Sequence, residues 1–390
     1  MRFTLSDGEI LTPQDWTFPV PIAYGPGRFA ELGRQASALG ISRPLIVTDR
    51  GSRGLPFIAE AQRLLNNAAI FAEISPNPRD DEIEAGCAAF RQGAHDALIA
   101  IGGGSAMDGA KAIGLTVHSG HTLWDFEFEQ PVPEVSPPAF PRLITVPTTA
   151  GTGAETESTA MVTHTGEGMK FCVWHPAYKP SLALLDPALT LALPRHLTAW
   201  TGVDALTHAI EAYSVPGFHP LCDGLALEAL HLIWQALPRA VAEPEDLAAR
   251  GGMLVGSCLA GISFLKGLGM VHAISHMVGA EFDTQHGLTN AIVLPTVLRL
   301  NLPGLDAKTR RMGEAAGLED VTPDGFIGAV EDLLDRLEIP KSLSEIGVPE
   351  ESAPRIAAKA LKDSAAGTNP REASLAETEA LVVQAISRAR

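Results

Sequence analysis

Two stretches of this 390-residue chain set a carboxylate and imidazoles at helical spacing. Thr201-Gly-Val-Asp204-Ala-Leu-Thr-His208 has helical period, and Asp204 and His208, four residues apart, project from one face. The same interval separates His272 from His276, and His286 follows ten residues later, directly before Gly287. Three of the twelve histidines thus fall within fifteen residues, flanked by the apolar Gly269-Met-Val and Met277-Val-Gly-Ala. A buried group of imidazoles needs something to occupy its lone pairs or protons, and a divalent metal does so. One Asp with two or three His is a nitrogen and oxygen donor set of intermediate hardness. It suits Fe²⁺ or Zn²⁺ and does not suit Ca²⁺. His95, His118 and His164 read as ordinary core or surface histidines, and His196 and His219 lack a partner at helical spacing.

A second kind of chemistry sits in the first half. Ile101-Gly-Gly-Gly-Ser-Ala-Met-Asp108 follows an apolar strand and runs into a helical segment. Glycines let backbone approach a ligand closely, and a helix N-terminus offers free N–H groups to an anion. Together they describe a pyrophosphate site, although the loop is neither GxGxxG nor a P-loop. Pro147-Thr-Thr-Ala-Gly-Thr-Gly-Ala-Glu155 is a second loop of this type, able to wrap a dinucleotide from the other side. Asp49 closes the first strong strand. A carboxylate there can accept from a ribose diol and repel a 2′-phosphate, or it can be a turn residue.

The elements that must position these residues change character near the middle of the chain. Apolar runs at 44–49, 69–74, 96–101 and 141–147 alternate with helical stretches at about 55–66 and 81–92. That alternation predicts a parallel sheet covered on both faces. After Pro194 come segments of helical period: 197–213, 221–237, 248–266, 269–282, 289–300, 309–316, 323–337 and 375–388. The expected division is a Rossmann-like dinucleotide-binding domain over 1–193 and an all-helical metal-binding domain over 194–390. The stretch 131–138, with four prolines, reads as a surface loop.

Composition narrows the partners. Lys and Arg number 29 against 46 Asp and Glu, a formal charge of −17, which argues against nucleic acid and anionic membranes. Four scattered cysteines without a CxxC pair point to reduced thiols and a cytoplasmic protein. No basic stretch followed by an apolar run opens the chain, so no signal peptide is expected. The apolar stretch 255–278 carries Lys266, His272, His276 and four glycines, and reads as buried helix rather than a bilayer span.

Taken in order, GGGSAMDGAKAIG at 102–114, PTTAGTGAE at 147–155, TGVDALTHAIEAY at 201–213 and GMVHAISHMVGAEFDTQHG at 269–287 resemble the iron-containing (group III) alcohol dehydrogenases. The likeness covers nearly the whole chain and implies a dehydroquinate synthase-like architecture, an α/β Rossmann-like domain followed by a helical one. It implies hydride transfer between a small alcohol, with its aldehyde or ketone, and NAD. It implies Fe²⁺, with Zn²⁺ as the other option, held by Asp204, His208, His272 and His286. His276 is assigned by the resemblance to the substrate side, as a proton relay. Gly103, Gly104 and Ser105 would hold the pyrophosphate. Asp49 would take the adenosine ribose, favouring NAD over NADP. Asn77, Thr148, Thr149, Thr152 and Lys170 would line the cofactor site, and a homodimer is expected. Ala106 stands where many members have Pro, and Ala154 where many have Ser; the segment 155–159 varies across the family.

Three other readings compete. A dehydroquinate synthase-like cyclase would be expected to carry Lys or Arg among the metal ligands, yet neither 204–208 nor 272–286 contains one. A metal-free maleylacetate reductase-like enzyme would not fill all four ligand positions. A non-catalytic metal-binding or assembly protein has no use for the glycine loops.

Overall fold

The computed structural model describes Leu11, Gln14–Trp16 and residues 20–387. These form two compact units. One comprises the described residues up to Thr149 with Gly153–Ala192; the other comprises Ala150–Thr152 with the described residues from Leu193 on. The three residues Ala150–Thr152 therefore group with the helices, whereas the sequence had put them with the sheet.

The first unit is built on a seven-stranded sheet in the order β1-β2-β9-β6-β5-β3-β4. Its strands are β1 (Gln14–Trp16), β2 (Ile22–Tyr24), β3 (Pro44–Asp49), β4 (Ala69–Ile74), β5 (Ala97–Gly102), β6 (Arg142–Pro147) and β9 (Leu182–Leu185). Only β1 pairs antiparallel; the remaining six strands run parallel. β7 (Thr159–His164) and β8 (Met169–Trp174) form a separate antiparallel hairpin. Four helices accompany them: α1 (Leu32–Ala38), α2 (Pro56–Leu64), α3 (Asp80–Gln92) and α4 (Gly104–Thr116).

The reason for strands here is burial on both faces. Leu45, Val47, Leu98 and Ala100 join one apolar cluster with Ile83, Phe90 and Met107. Ile46, Ile99 and Ile101 join another with Leu32, Ile58 and Leu184. Alternate residues thus serve opposite faces, as the period-2 pleat requires. β4 lies on one side of β3 and β5 on the other. The chain reverses direction across the sheet at that point, and the crevice beyond the strand C-termini is where such sheets take ligands. Asp49 ends β3 and Gly102 ends β5, so both lie at this switch point.

The second unit is helical: α5 (Arg195–Ser214), α6 (Pro220–Ala242), α7 (Leu247–Ser263), α8 (Met270–Phe282), α9 (His286–Asn301), α10 (Asp306–Ala316), α11 (Pro323–Arg336), α12 (Ala353–Ala360) and α13 (Leu375–Ser387). α5 is the central helix, with every residue from Thr201 to Ser214 buried. Small residues allow that. A Cβ on Gly202 would stand 2.3 Å from Leu237 Cδ1 of α6. The end of α5 is closed by Lys308, whose ammonium donates to the carbonyls of Tyr213 at 2.7 Å and Val215 at 2.7 Å. Its start is tied by the buried Arg250, which donates to Thr198 Oγ1 at 2.7 Å. The segment 247–266 is long and apolar enough to cross a membrane, and 78% of its most apolar window is buried inside the unit. The apolar stretch 255–278 is not one helix, since α7 gives way at 264–266 to a 3₁₀ turn before α8 begins at Met270.

Candidate functional site

In the helical unit, Asp204 and His208 lie on buried turns of α5, and His272 lies in the first turn of α8. One ligand atom from each falls within 4.8 Å of the others. His208 and His272 stack with ring centroids 4.5 Å apart. His286 opens α9 rather than sitting in a preceding turn, because Gln285 Oε1 caps that helix by accepting Leu288 N at 2.6 Å. Its Nε2 reaches to 3.6 Å from Asp204 Oδ1, while His272 Nε2 lies 3.8 Å from the same oxygen. The expected four residues are therefore brought together, with Asp204, His208 and His272 as the tight core and His286 joined through Asp204.

The electrostatics of this cluster are those of a cation site. Asp204 is fully buried, and burial alone would raise its carboxyl; the imidazoles of His208, His286 and His272 outweigh that and hold it well below the usual range. Burial pushes His208 down to about 4 against the pull of Asp204. For His272 burial also pulls down, but its carboxylate neighbours Asp204 and Glu211 carry it up to about 9. Among the described residues, the only charge-bearing partners of Asp204 are imidazoles, and His208 Nδ1 is buried without a hydrogen-bond partner. A buried carboxylate, two buried imidazoles and the half-buried His286 converging on it, with no Lys or Arg among them, fit a divalent ion of the iron or zinc type.

Three side chains that spacing did not single out hold the set. Glu211 accepts His272 Nδ1–H at 2.6 Å. Asn290, one turn beyond His286 on α9, donates from Nδ2 to Asp204 Oδ1 at 2.7 Å and lies 3.1 Å from both His272 Nε2 and His286 Nε2. Asp363 accepts His276 Nδ1–H at 2.8 Å. The His276 ring stacks on His286 at 5.4 Å between centroids and meets His272 edge-on at 5.9 Å. Glu211 had a signal, being seven residues after Asp204 on the same face. Asn290 had a weaker one at i+4 from His286. Asp363 is 87 residues from His276 and had none.

In the sheet unit the glycine loop has the form a phosphate needs. Gly102 has φ +151°, and a Cβ there would stand 2.7 Å from Asp49 Oδ2. α4 starts at Gly104 behind an extended Gly103, so Gly104 and Ser105 form its first turn. Thr148 N donates to Gly102 O at 2.9 Å, and Thr149 lies 3.5 Å from the Cβ position of Gly103. Asp49 also braces its own turn, accepting Ser52 N at 2.9 Å and Ser52 Oγ at 2.8 Å. Asn77 is buried, and its carbonyl accepts Ser75 Oγ at 2.8 Å. Lys170 is buried on β8. Thr152 groups with the helical unit.

The segment after the second loop is pinned from beneath. The buried Lys111 of α4 donates to Ala154 O at 3.0 Å and to Thr159 O, and pairs with Asp108 at 3.3 Å. Glu157, in the same segment, is pushed by burial up to about 7, against the pull of Lys111 and Lys179.

Comparison with known proteins gives two family matches. Residues 19–187 match the family described as iron-containing alcohol dehydrogenase, and residues 198–386 match the C-terminal part of the Fe-containing alcohol dehydrogenase family. Among curated proteins, the chain is 37% identical over 382 residues to an NAD-dependent methanol dehydrogenase of Bacillus methanolicus, covering 94% of this chain and 98% of that protein. Among solved structures, it is similar to a 1,3-propanediol oxidoreductase, with a TM-score of 0.88 and 34% identity over 96% of this chain and 100% of that one. It is also similar to a sulfoacetaldehyde reductase from Bifidobacterium kashiwanohense solved with NAD⁺, with a TM-score of 0.84 and 29% identity over 96% of this chain and 98% of that one.

Proposed function

The chain belongs to the iron-containing alcohol dehydrogenase family, and from that premise we propose how its residues divide the work of an NAD(H)-dependent, metal-dependent oxidoreductase that interconverts a small alcohol and its aldehyde or ketone. The observation that carries the reading is the buried triad of Asp204, His208 and His272, with His286 3.6 Å from Asp204. Asp204, His208, His272 and His286 hold Fe²⁺ or Zn²⁺, which supplies Lewis acidity to the substrate oxygen.

The remaining residues bind, orient and move protons. Gly103, Gly104 and Ser105 receive the pyrophosphate of NAD at the start of α4. Asp49 receives the adenosine ribose with the lone pairs left over from Ser52. Asn77, Thr148, Thr149, Thr152 and Lys170 complete the cofactor site. His276 carries the proton between substrate and solvent through Nε2, because Asp363 holds its Nδ1 at 2.8 Å. The chain works as a homodimer in the cytoplasm, in keeping with the family and with only four scattered cysteines and no CxxC pair.

The test is purification under reducing conditions, metal analysis, and NADH oxidation against short aldehydes, semialdehydes and hydroxy-ketones. Turnover on at least one of them with about one metal per chain is the expected result. No NADH-dependent turnover on the panel, with metal bound, contradicts the proposal. Light scattering checks the dimer against the 41.1 kDa chain mass.

A further inference from the structure

Asp204, His208 and Glu211 share one face of α5, at intervals of four and three residues. All three are buried, at 2%, 4% and 4% exposure, and the first two are ligand candidates. The third looks instead into the start of α8. Glu211 Oε1 accepts Val271 N at 2.8 Å, and Oε2 accepts both Gly269 N at 3.1 Å and His272 Nδ1–H at 2.6 Å. One carboxylate thus satisfies two backbone donors at a helix N-terminus, where negative charge is favoured, together with the imidazole of the next residue after Val271. The approach is close: a Cβ on Gly269 would stand 2.7 Å from Glu211 Oε1.

We propose that Glu211 is the positioning residue of the metal centre, fixing His272 with its Nδ1–H toward the carboxylate and its Nε2 toward Asp204. The proposal rests on reading the cluster as a metal site. An imidazole has two nitrogens, and only the one without hydrogen offers a lone pair to a cation. Commitment of Nδ1–H to Glu211 leaves Nε2, which lies 3.8 Å from Asp204 Oδ1. The bond also fixes the ring plane and makes Nε2 more electron-rich. Because the same carboxylate ties Gly269 and Val271, the first turn of α8 and the aim of His272 are set by one group.

The amide isostere exposes this. In Glu211→Gln one oxygen can still accept from Val271 N. The new NH₂ then faces Gly269 N–H and His272 Nδ1. His272 satisfies it only by turning Nδ1 into an acceptor, which moves its hydrogen to Nε2, the coordinating atom. Glu211→Asp keeps the charge but withdraws it by one methylene, and weakens the same bond. Asn369→Ala is the control. Asn369 Oδ1 caps the same helix end by accepting Met270 N at 3.0 Å, and it touches no ligand.

The experiment measures Zn²⁺ and Co²⁺ affinity of the full chain by competition with a chromophoric chelator, with the Co²⁺ absorption spectrum as a signature of the ligand set. Glu211→Gln is expected to raise the dissociation constant about 10–100-fold, the usual effect of removing such a partner. Glu211→Asp should fall between it and wild type, and Asn369→Ala should stay near wild type. If Glu211→Gln does not fold, Glu211→Asp carries the comparison. Unchanged affinity in both Glu211 variants, or an equal loss in Asn369→Ala, overturns the role of Glu211. Wild-type protein that takes up no stoichiometric metal overturns the metal-site reading itself, which separates the two failures.

Discussion

Replacing Asp49 by Asn changes cofactor choice while sparing the turn. Asp49 ends β3 at the sheet's switch point, and its two oxygens already accept from Ser52 N and Ser52 Oγ. Asn keeps one acceptor for Ser52 N at the same reach, and its NH₂ can donate to Ser52 Oγ with that bond reversed. The turn should therefore lose no more than about 1 kcal/mol. What disappears is the negative charge. A ribose 2′-phosphate placed roughly 6 Å from that charge at an effective dielectric of about 20 meets a repulsion of about 3 kcal/mol per unit charge, reduced by salt. Relieving about 2 kcal/mol of it corresponds to roughly a 30-fold gain for NADPH over NADH. The assay is kcat/KM for both cofactors on one carbonyl substrate, with the melting temperature beside it. A ratio within about 2-fold of wild type, whatever the melting temperature does, shows that Asp49 is only a turn residue and refutes the ribose assignment.

Three further outcomes are expected. His276→Ala should retain stoichiometric metal and lose turnover, while His272→Ala should lose the metal; equal metal loss in both, by elemental analysis, would make His276 a ligand. Glu157 has a carboxyl raised by burial from 4.5 to about 7, so the folded chain binds the extra proton between those values. Its stability contribution is full below about pH 4.5, declines toward pH 7 and stays lost above it, so Glu157→Gln should exceed wild type by about 3 kcal/mol at pH 8 and match it near pH 4. Urea melts at both pH values check this, and an identical difference at both would refute it. Lys111→Met removes the ammonium paired with the half-buried Asp108, which keeps the N–H of Met161 as a donor, and frees the carbonyls of Ala154 and Thr159. It should destabilise the sheet unit by about 3–5 kcal/mol, measured the same way; a loss under 1 kcal/mol would mean the segment is held by other contacts.

The sequence was most legible where a single period ran long. Strands 44–49 and 69–74 were placed to the residue because continuous β-branched and apolar runs end at turn chemistry. The long helices of the second unit were found within a few residues for the same reason. β2 and β9 were missed because they have three and four residues, too few for any period to show. The β7–β8 hairpin was missed for another reason. Its apolar residues come in short runs of three (160–162) and four (171–174) with no helical segment between them, so a reading built on strands alternating with helices passes over them. At the site, Asp204, His208 and His272 were legible because one-turn helical spacing, 204 to 208 and 272 to 276, is local information. Asp363 and Asn369 were not, since their partners lie 87 and 99 residues away and only the folded chain brings them together.

The central claim is that Asp204, His208, His272 and His286 hold a divalent metal without which the chain does not turn over. The direct measurement is activity against bound metal, titrated with Fe²⁺ or Zn²⁺ into chelator-stripped protein whose metal content is verified by elemental analysis. The account predicts no turnover in the stripped protein, recovery in proportion to metal up to about one per chain, and a rise in melting temperature over the same range. Stripped protein should still bind NADH through the glycine loop. Full activity at verified zero metal would contradict the account and restore the metal-free reductase reading.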